Sequence, residues 1–354
     1  MNAKLSAAGS EWSFPAEEAP EDVQHLPVWT ESVVAREGGE VFGGYLFKHQ
    51  RFFLEGRELE VGNLTLPLSL GDIDSAYAHV SVALLFDVRQ RSPYCYALGL
   101  GAEDTKMARM LTAAGWQHLT VPFQFSVKSP NAFARNIRLP AEKKLLQSAL
   151  RVLGGLRLAG LALKSRDLLR SKGESVRSSR AQDARARQVP EFDTFADDLF
   201  AAHAASYSLI GDRSAAALNI LFPTAEHKYL RLVVERDDEV IGWALLLDTR
   251  MQDDKYFGNM RVGSLVDCFA APQDARAVVA AADDFFTRRG VDLVVSNQLH
   301  AAWHQALASA GYEEGPSNFF LYYSEDLAEQ LGSIPDWSRE AHMNRGDGEG
   351  PGNL

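Results

Sequence analysis

The sequence contains few of the features that mark secreted, metal-binding or membrane-spanning proteins. Only two of its 354 residues are cysteines, Cys95 and Cys268, and both lie in apolar, strand-like runs. Two such cysteines cannot supply a disulfide framework or a zinc cluster, so we expect no metal site and a reducing compartment, the cytoplasm. No apolar run approaches the roughly 20 residues that cross a bilayer, and we expect no transmembrane segment.

The sequence also has too little positive charge for a general nucleic-acid-binding protein. It carries 36 Lys and Arg residues against 47 Asp and Glu residues, a net charge of -11, whereas binding to phosphate backbones requires a basic surface. Residues 1–27 lack the basic and apolar segments of a signal peptide. We predict a disordered N-terminal tail at 1–27 and a flexible, Gly-rich C-terminal tail at 331–354.

The positive charge is concentrated in residues 141–190. Between Glu142 and Arg187 there are twelve Lys or Arg residues and only four Asp or Glu residues. Leucines recur there at roughly helical spacing until about Leu169, and 171–188 is polar. We predict a basic connector that is partly helical and partly a loose linker. The alternative is a basic surface for an anionic membrane, an acyl carrier or a polyanion.

The sequence does contain an internal repeat. Three separated motifs of the first half recur in the second half at a displacement of about 200 positions, which chance rarely produces. A content of 46% hydrophobic residues is sufficient for two cores. We therefore predict two similar domains, 28–140 and 191–330. The matching pairs are 40–44 (EVFGG) with 239–243 (EVIGW), 61–64 (VGNL) with 262–265 (VGSL), and 110–116 (MLTAAGW) with 306–312 (ALASAGY).

Both halves show the same order of elements: a strand hairpin, a strand, a helix, a strand, a helix and a strand. Apolar residues alternate in the predicted strands and recur at helical spacing in the predicted helices. The fold class is therefore α/β with a mixed sheet. In the first half the strands are 32–36, 41–47 with 52–58, 63–68, 94–98 and 119–125, and the helices run from Ser75 and from Thr105 behind Asp104 as the N-cap. In the second half the strands are 228–235, 240–247, 260–269, 291–296 and 319–323, and the helices run from Pro272 to Gly290 and from His300 to Ala310.

This order, together with the helix endings at 111–116 and 307–312, resembles the GNAT acetyltransferase fold, here in tandem as in FemAB-like proteins. The resemblance covers about 31–126 and about 195–324. It implies acyl transfer from an acyl-CoA such as acetyl-CoA, or from an aminoacyl-tRNA, to an amine of a sugar, peptide or envelope precursor. It also implies two diverging parallel strands that admit the pantetheine, and a helix N-terminus that holds the pyrophosphate.

Two features depart from the family pattern. The segments that correspond to its pyrophosphate loop, 68–74 and 269–275, lack the basic residue and the paired glycines and carry Asp residues. The tyrosine that the family places on its last helix corresponds to Leu111 and Leu307. Within this frame Phe269, Ala270 and Gln273 are the candidates for contact with acyl-CoA, because they lie where strand 260–269 leads into the next helix.

The candidate catalytic residues are Asp267, His300 and Tyr322. Asp267 stands near the end of an apolar strand, where burial would raise the pKa of a carboxyl group and suit it to be a general base; the first half has Leu66 there. His300 could move protons, and Tyr322 could replace the missing donor. The structural alternatives are a solvated strand end for Asp267, helix capping for His300 and core packing for Tyr322. The candidate substrate-binding residues are Asn297, Gln298, Trp303, Ser317 and Asn318.

These features predict that the second domain, and not the first, carries the chemistry. The main reading is an N-acyltransferase of the GNAT superfamily. A non-catalytic tandem GNAT protein that binds a ligand or a partner is the alternative, since both the phosphate loop and the tyrosine are missing. A FemAB-like, aminoacyl-tRNA-dependent transferase is a third reading, which only the basic connector favours.

Overall fold

The computed structural model describes residues 1–15, 23–101, 103–138, 184–333 and 337–348, which form two compact units, each with its own mixed β-sheet. The predicted α/β class is thus confirmed, whereas the predicted boundaries 28–140 and 191–330 stay a prediction. Neither unit is continuous in sequence. Unit 1 comprises Met1–Val121, Ala204–Leu221 and Ser317–Gly350, and unit 2 comprises Pro122–His203, Phe222–Pro316 and Pro351–Leu354.

Unit 1 is built on a seven-stranded sheet with the order β1-β2-β3-β4-β14-β5, in which β8 also pairs with β2. Only β3 and β4 are parallel neighbours. The strands are β1 Val28–Glu37, β2 Glu40–Leu54, β3 Arg57–Ser69, β4 Cys95–Leu98, β5 Gln117–Thr120, β8 Leu209–Gly211 and β14 Phe320–Tyr323. The helices are α1 Asn2–Ala7, α2 Ala78–Arg91, α3 Lys106–Ala113, α6 Ala215–Leu221 and α9 Glu325–Leu331.

Unit 2 is built on a second seven-stranded sheet with the order β13-β6-β12-β11-β10-β9-β7, in which β11 and β12 are the parallel neighbours. The strands are β6 Phe123–Val127, β7 Arg185–Val189, β9 Leu230–Arg236, β10 Glu239–Arg250, β11 Arg261–Ala270, β12 Leu293–Asn297 and β13 Glu313–Gly315. The helices are α4 Pro130–Asn136, α5 Thr194–His203, α7 Ala275–Arg289 and α8 Ala301–Ser309.

Each sequence half contributes to the sheet of the other unit: the first half contributes β6 to unit 2, and the second half contributes β8 and β14 to unit 1. The strand β14 lies between β4 and β5 in the sheet of unit 1, and β6 lies between β12 and β13 in the sheet of unit 2. The single strand predicted at 119–125 is therefore wrong, because it is two strands in two sheets, separated at Val121 and Pro122. Proline lacks the N–H that a continuous ladder needs.

The repeated helix ending is a left-handed C-cap. Gly115 and Gly311 both have φ of 86°, a conformation that only glycine adopts without strain. The amides of Trp116 and Tyr312 donate to the carbonyls of Leu111 and Leu307 at 3.1 and 3.0 Å, as in a Schellman motif. The predicted cap Asp104 is replaced by Thr105, whose side chain accepts from the Ala108 amide.

The repeated strand glycine makes room for an aromatic ring. A Cβ on Gly62 would lie 1.9 Å from Cζ of Phe47, and a Cβ on Gly263 would lie 2.6 Å from two ring carbons of Phe286. Both rings are completely buried. The shared glycine therefore reflects the same packing requirement in both units, a close approach of a ring to the central strand.

The described parts of the predicted tails are packed rather than flexible. At the N-terminus α1 places Leu5, and the following turn places Phe14, against Leu68 and Leu70 of unit 1. At the C-terminus residues 337–348 include buried side chains and a 3-10 helix at Arg345–Asp347. These contacts are made by a few apolar side chains within polar stretches of sequence. Overall composition does not reveal them.

The predicted connector lies mostly outside the described residues, since the structure describes 184–333 after 138. Its predicted helix, linker and basic surface therefore stay predictions. Residues Arg185–Val189, assigned there to the linker, instead form strand β7, which pairs with β9. The pairing satisfies the backbone of a segment whose polar side chains suit an edge strand.

Candidate active site in unit 2

The two parallel strands of unit 2 diverge into a fork. β11 and β12 are paired from Val262 and Leu293 as far as Leu265 and Ser296. Beyond that rung β11 continues to Ala270, while Asn297 of β12 pairs with Phe123 of β6. The ladder between β11 and β12 therefore ends at the rung of Leu265 and Ser296, and β11 continues for five residues beyond it.

A β-bulge accompanies the fork. The register between β10 and β11 shifts between Leu245 and Leu246, so that Asp267 lies opposite Leu245 while Leu265 lies opposite Leu246. Val266 is the extra residue. A bulge bends its strand and changes the face to which the following side chains point, and here it directs Asp267 to the face of Phe269 two residues on.

Asp267 is completely buried on that face. One carboxylate oxygen accepts the Cys268 amide at 2.8 Å. The neighbouring Phe269 ring packs on Trp243 at 6.3 Å and on Phe200 of α5 at 5.9 Å between centroids. A carboxylate in such an aromatic setting is expensive to bury, a condition found both at catalytic sites and in structural networks.

The polar turn after β12 lies at the other arm of the fork. The Ser296 hydroxyl donates to the Leu265 carbonyl at 3.2 Å, and the Gln298 amide donates to the Ser296 hydroxyl at 3.3 Å. The Asn297 amide donates to the Pro122 carbonyl at 3.2 Å. All three side chains are buried. They hold the backbone at the point of divergence, so the fork is a fixed feature.

His300 is the N-cap of α8. Its Nδ1 accepts the Ala302 amide at 3.0 Å, and the ring is 6% exposed. Helix capping, the structural alternative to a proton-transfer role for His300, is thus present in the structure. The cap fixes Nδ1 as the unprotonated nitrogen, so any proton that this ring moves is carried by Nε2.

The entry to α7 contains a cation that the local sequence lacks. The Arg236 guanidinium at the end of β9 donates to the Asp274 carboxylate at 2.7 Å. Because this ion pair neutralises Asp274, the carboxylate repels a phosphate less than the sequence suggested. The Arg236 Nε–H is buried and donates to no partner among the described residues. Gln273 is exposed beside it, and Phe269 and Ala270 are buried.

The remaining predicted residues do not all lie in unit 2. Trp303 is completely buried in α8. Tyr322, Ser317 and Asn318 belong to unit 1: Tyr322 stacks on His118 at 5.2 Å, the Ser317 hydroxyl donates to the Val121 carbonyl at 2.6 Å, and Asn318 is exposed. Burial and then the charge of Glu103 raise the pKa of Tyr322. The roles assigned to all these residues stay predictions.

Unit 1 has a fork of the same kind without a carboxylate at the matching position. β3 and β4 are paired only at Gly62 with Cys95 and at Asn63 with Tyr96, and β3 continues to Ser69. Leu66 lies in the bulge with φ of 45°. A cavity of about 20 Å³ lies between this strand and α2, which is room for about one water molecule.

Sequence reasoning missed two arginines of unit 2, Arg236 at the entry to α7 and Arg231 in β9. Arg231 lies opposite Leu245, in the same cross-strand row as Asp267, and is 3% exposed. It donates to the Phe222 and Tyr229 carbonyls at 2.5 and 3.2 Å, and burial lowers its pKa. An arginine in an alternating strand is usually a solvated residue, so only the strand pairing could identify it.

The described residues contain no group of three or more His, Cys, Asp or Glu side chains placed to hold a metal ion. Within the same residues, no helix combines the length and the apolar character that crossing a bilayer demands.

Comparison with known proteins gives likenesses at the level of structure only. No family model matches the chain, and no curated protein matches it. Solved structures that resemble it include a GCN5-related N-acetyltransferase from Anabaena variabilis, with 11% identity, a TM-score of 0.47 and coverage of 82% of this chain and 61% of that one. A probable N-acyltransferase from Enterococcus faecalis has 8% identity, a TM-score of 0.49 and coverage of 85% and 64%.

The N-myristoyltransferase of Saccharomyces cerevisiae with bound myristoyl-CoA has 11% identity, a TM-score of 0.49 and coverage of 88% of this chain and 75% of that one. The chain spans less than two thirds of the length of the Anabaena and Enterococcus structures.

Proposed function

We propose that the chain is a GNAT-type N-acyltransferase that uses an acyl-CoA and whose unit 2 carries the chemistry. The observation that supports this most is the fork between β11 and β12 with the buried Asp267 at its mouth. In this proposal the acyl-CoA lies where the two strands diverge, and the carboxylate two residues beyond the last paired rung is the base beside it.

The residues present fit an acyl-CoA in two respects. The divergence of β11 from β12 beyond Leu265 and Ser296 gives an extended pantetheine chain a place along 266–270. At the entry to α7 the Arg236 guanidinium, which is paired with Asp274, offers its remaining N–H groups to a pyrophosphate. We assign Phe269 and Ala270 to the first contact and Gln273 to the second.

The reaction that these groups support is aminolysis of a thioester. The Asp267 carboxylate accepts a proton from the ammonium group of the acceptor, and the free amine attacks the thioester carbonyl. A C–N bond forms and the C–S bond breaks. The proton lost by the amine on forming the amide balances the proton gained by the departing thiolate. Asn297 and Gln298 hold the turn that borders this site.

The acceptor in this proposal is a primary amine of a sugar, a peptide or an envelope precursor, and the chain acts in the cytoplasm. Tyr322 as the proton donor and Trp303, Ser317 and Asn318 as acceptor contacts remain part of the proposal. So does the connector 142–187 as a surface for an acyl carrier or an anionic partner.

Calorimetric titration with acetyl-CoA and longer acyl-CoAs tests this proposal. We expect the unchanged chain and Asp267→Asn to bind an acyl-CoA at micromolar concentrations. Thiol release in the presence of a panel of amines should fall at least about 100-fold in Asp267→Asn, since a general base contributes that much. Asp284→Asn, an exposed carboxylate of α7, is the matched control and should retain full activity.

Absence of binding to every acyl-CoA would reject the proposal and favour the non-catalytic reading. One observation supports that alternative: the buried polar side chains of the turn are already used to hold backbone, as at Ser296, Asn297 and His300. The aminoacyl-tRNA reading has its only support in the connector, and binding of charged tRNA in place of acyl-CoA would establish it.

A further inference from the structure

The C-terminal segment, residues 337–348, contacts unit 1 as a bound peptide contacts a sheet edge. The His342 amide donates to the Leu209 carbonyl at 2.7 Å, and the Ser208 amide donates to the Glu340 carbonyl at 3.0 Å. His342 forms a parallel bridge with Ile210 of β8. Main-chain pairing of this kind, with side chains in separate pockets, is the usual mode of peptide recognition by an edge strand.

The side chains of the segment occupy such pockets. Trp337 packs edge-on against Tyr323 at 5.5 Å, and His342 packs edge-on against Tyr207 at 5.1 Å. Ala341 and Met343 are 0% and 2% exposed. The segment thus has apolar anchors on both sides of its main-chain contacts.

Beyond Met343 the segment reaches a row of three donors on adjacent strands. Lys48 of β2 lies opposite Asn63 of β3, and Asn63 lies opposite Tyr96 of β4. The three side chains all donate to one atom, the carbonyl oxygen of Asp347, at 3.2, 2.9 and 2.9 Å respectively. Burial and then the charge of Asp347 raise the pKa of Tyr96 well above its usual value, so it remains a donor.

The side chain of the same residue is recognised separately. Arg213 donates to the Asp347 carboxylate at 2.6 Å, and the two side chains are 0% and 1% exposed. The other carboxylate oxygen accepts the Asn344 amide at 3.0 Å. Side chains from outside the segment therefore bind both the carbonyl and the carboxylate of Asp347.

This arrangement has more polar groups than a packing contact needs. Replacing a buried ion pair by apolar residues is often neutral or stabilising, so a segment that only completed the core could do without Arg213 and Asp347. The side-chain oxygens of Gln50 and Asn63 are also buried and accept no hydrogen bond from the described residues. Surplus donors and acceptors around one aspartate are typical of a recognition site.

We propose that Lys48, Asn63, Tyr96 and Arg213 form a peptide-recognition site on unit 1, of which residues 337–348 are the internal and displaceable occupant. A peptide in trans with the same chemistry, an aspartate four residues after an apolar anchor, binds there once the segment leaves. Asn63 and Tyr96 also form the last rung before the fork of unit 1, so the occupant controls access to that fork. The site is independent of the acyl transfer proposed for unit 2.

A chain that is cut only after it has folded tests this proposal. A protease site is placed between Ser333 and Trp337, the purified chain is cleaved, and a fluorescent peptide with the sequence of 337–348 is added. We expect the peptide to bind the cleaved chain and not the uncleaved one, as measured by fluorescence anisotropy. The same peptide with Asp347→Asn should bind at least about 30-fold more weakly, because it leaves Arg213 buried without its carboxylate.

A scrambled peptide is the composition control, and circular dichroism follows the fold of the cleaved chain. The proposal is overturned if the cleaved chain keeps its fold but takes up no peptide, or if the Asp347→Asn peptide binds as well as the parent. It is equally overturned if release of the segment unfolds unit 1, because the segment is then part of the core. Cleaved Arg213→Gln, which removes the positive charge, should lose the preference for aspartate over asparagine, which a merely structural arginine would not change.

Discussion

The glycine shared by the central strands predicts that alanine at this position destabilises the protein. By intrinsic preference Gly62→Ala should be favourable by about 0.5–1 kcal/mol, since glycine loses more conformational freedom on folding. Against this, the new Cβ would lie 1.9 Å from the tip of the Phe47 ring. The sign of the net effect depends on whether that ring can move.

The neighbours of Phe47 prevent such a movement. Its ring contacts Tyr45 at 6.1 Å and His49 at 4.8 Å, both nearly perpendicular, and is 0% exposed. Overpacking of a tight core costs about 1–3 kcal/mol, and the short distance places Gly62→Ala at the upper end. We therefore expect a net loss of about 2 kcal/mol, and about 1 kcal/mol for Gly263→Ala, whose contact with Phe286 is longer.

Thermal unfolding followed by near-ultraviolet circular dichroism measures both losses. For a unit of this size 2 kcal/mol corresponds to a decrease in Tm of about 4–8 °C. The matched control is Phe47→Leu, which removes the ring edge. Combined with Phe47→Leu, Gly62→Ala should cost at least about 1 kcal/mol less than it does alone, because the two sites are in contact.

A Tm for Gly62→Ala equal to or above that of the unchanged chain would refute this reasoning. So would additivity of Gly62→Ala and Phe47→Leu, since the clash would then not involve the ring. An effect in unit 1 without a matching effect of Gly263→Ala in unit 2 would show that the repeated glycine has different roles in the two units.

Three further predictions concern the acyl-CoA contact, the acid limit and the strand exchange. Arg236→Ala should weaken acetyl-CoA binding about tenfold but leave binding of acetyl-pantetheine, which lacks the pyrophosphate, unchanged; an equal effect on both ligands, or a similar loss in the control Asp274→Asn, would exclude a phosphate contact. Burial alone would raise the pKa of the Asp248 carboxyl, but hydrogen bonds from Arg261 and Arg289 outweigh it and lower the pKa. Its stabilisation is therefore complete above about pH 4 and lost as the pH falls through the lowered value; denaturant unfolding of Asp248→Asn should show a cost of about 3 kcal/mol at pH 7 that shrinks as the pH falls below about 4, and a constant cost would contradict the assignment. The chain is divided within the connector and the two halves are expressed separately. Each half alone should have a low Tm, and a mixture of the two should recover a cooperative thermal transition. Independent stable folding of either half would contradict the importance of the exchanged strands.

The sequence was sufficient for elements whose signals are local. The helix from Pro272 to Gly290 was predicted because proline, the final arginines and a left-handed glycine all agree, and the structure has α7 ending at Arg289 with Gly290 at φ of 68°. The strands β9, β10 and β11 were likewise predicted within a few residues, because each alternates and ends at turn residues. Hairpin β2–β3 was divided wrongly, since 52–58 and 63–68 belong to strands that turn at Glu55 and Gly56.

The features that the sequence could not reveal depend on long-range pairing. Nothing local distinguishes a strand that returns to its own sheet from one that completes another, so β6 and β14 were assigned to the wrong sheets. Arg236 reaches Asp274 across 38 positions, which removes the expected repulsion at the helix entry. The same limitation explains why Tyr322 was grouped with Asp267 although the two residues belong to different units.

The exchanged strands also determine the order of events during synthesis. β5 is complete at Thr120, whereas its neighbour β14 begins only at Phe320. At roughly 5–20 residues per second, the ribosome delivers that strand about 10–40 s later. During this interval β4 and β5 of the nascent chain lack the pairing that β14 later provides. Another nascent chain on the same polysome could pair with them instead. Unit 1 therefore cannot complete its sheet until β14 in the second half has been translated, and a chaperone that shields β4 and β5 would act during this interval.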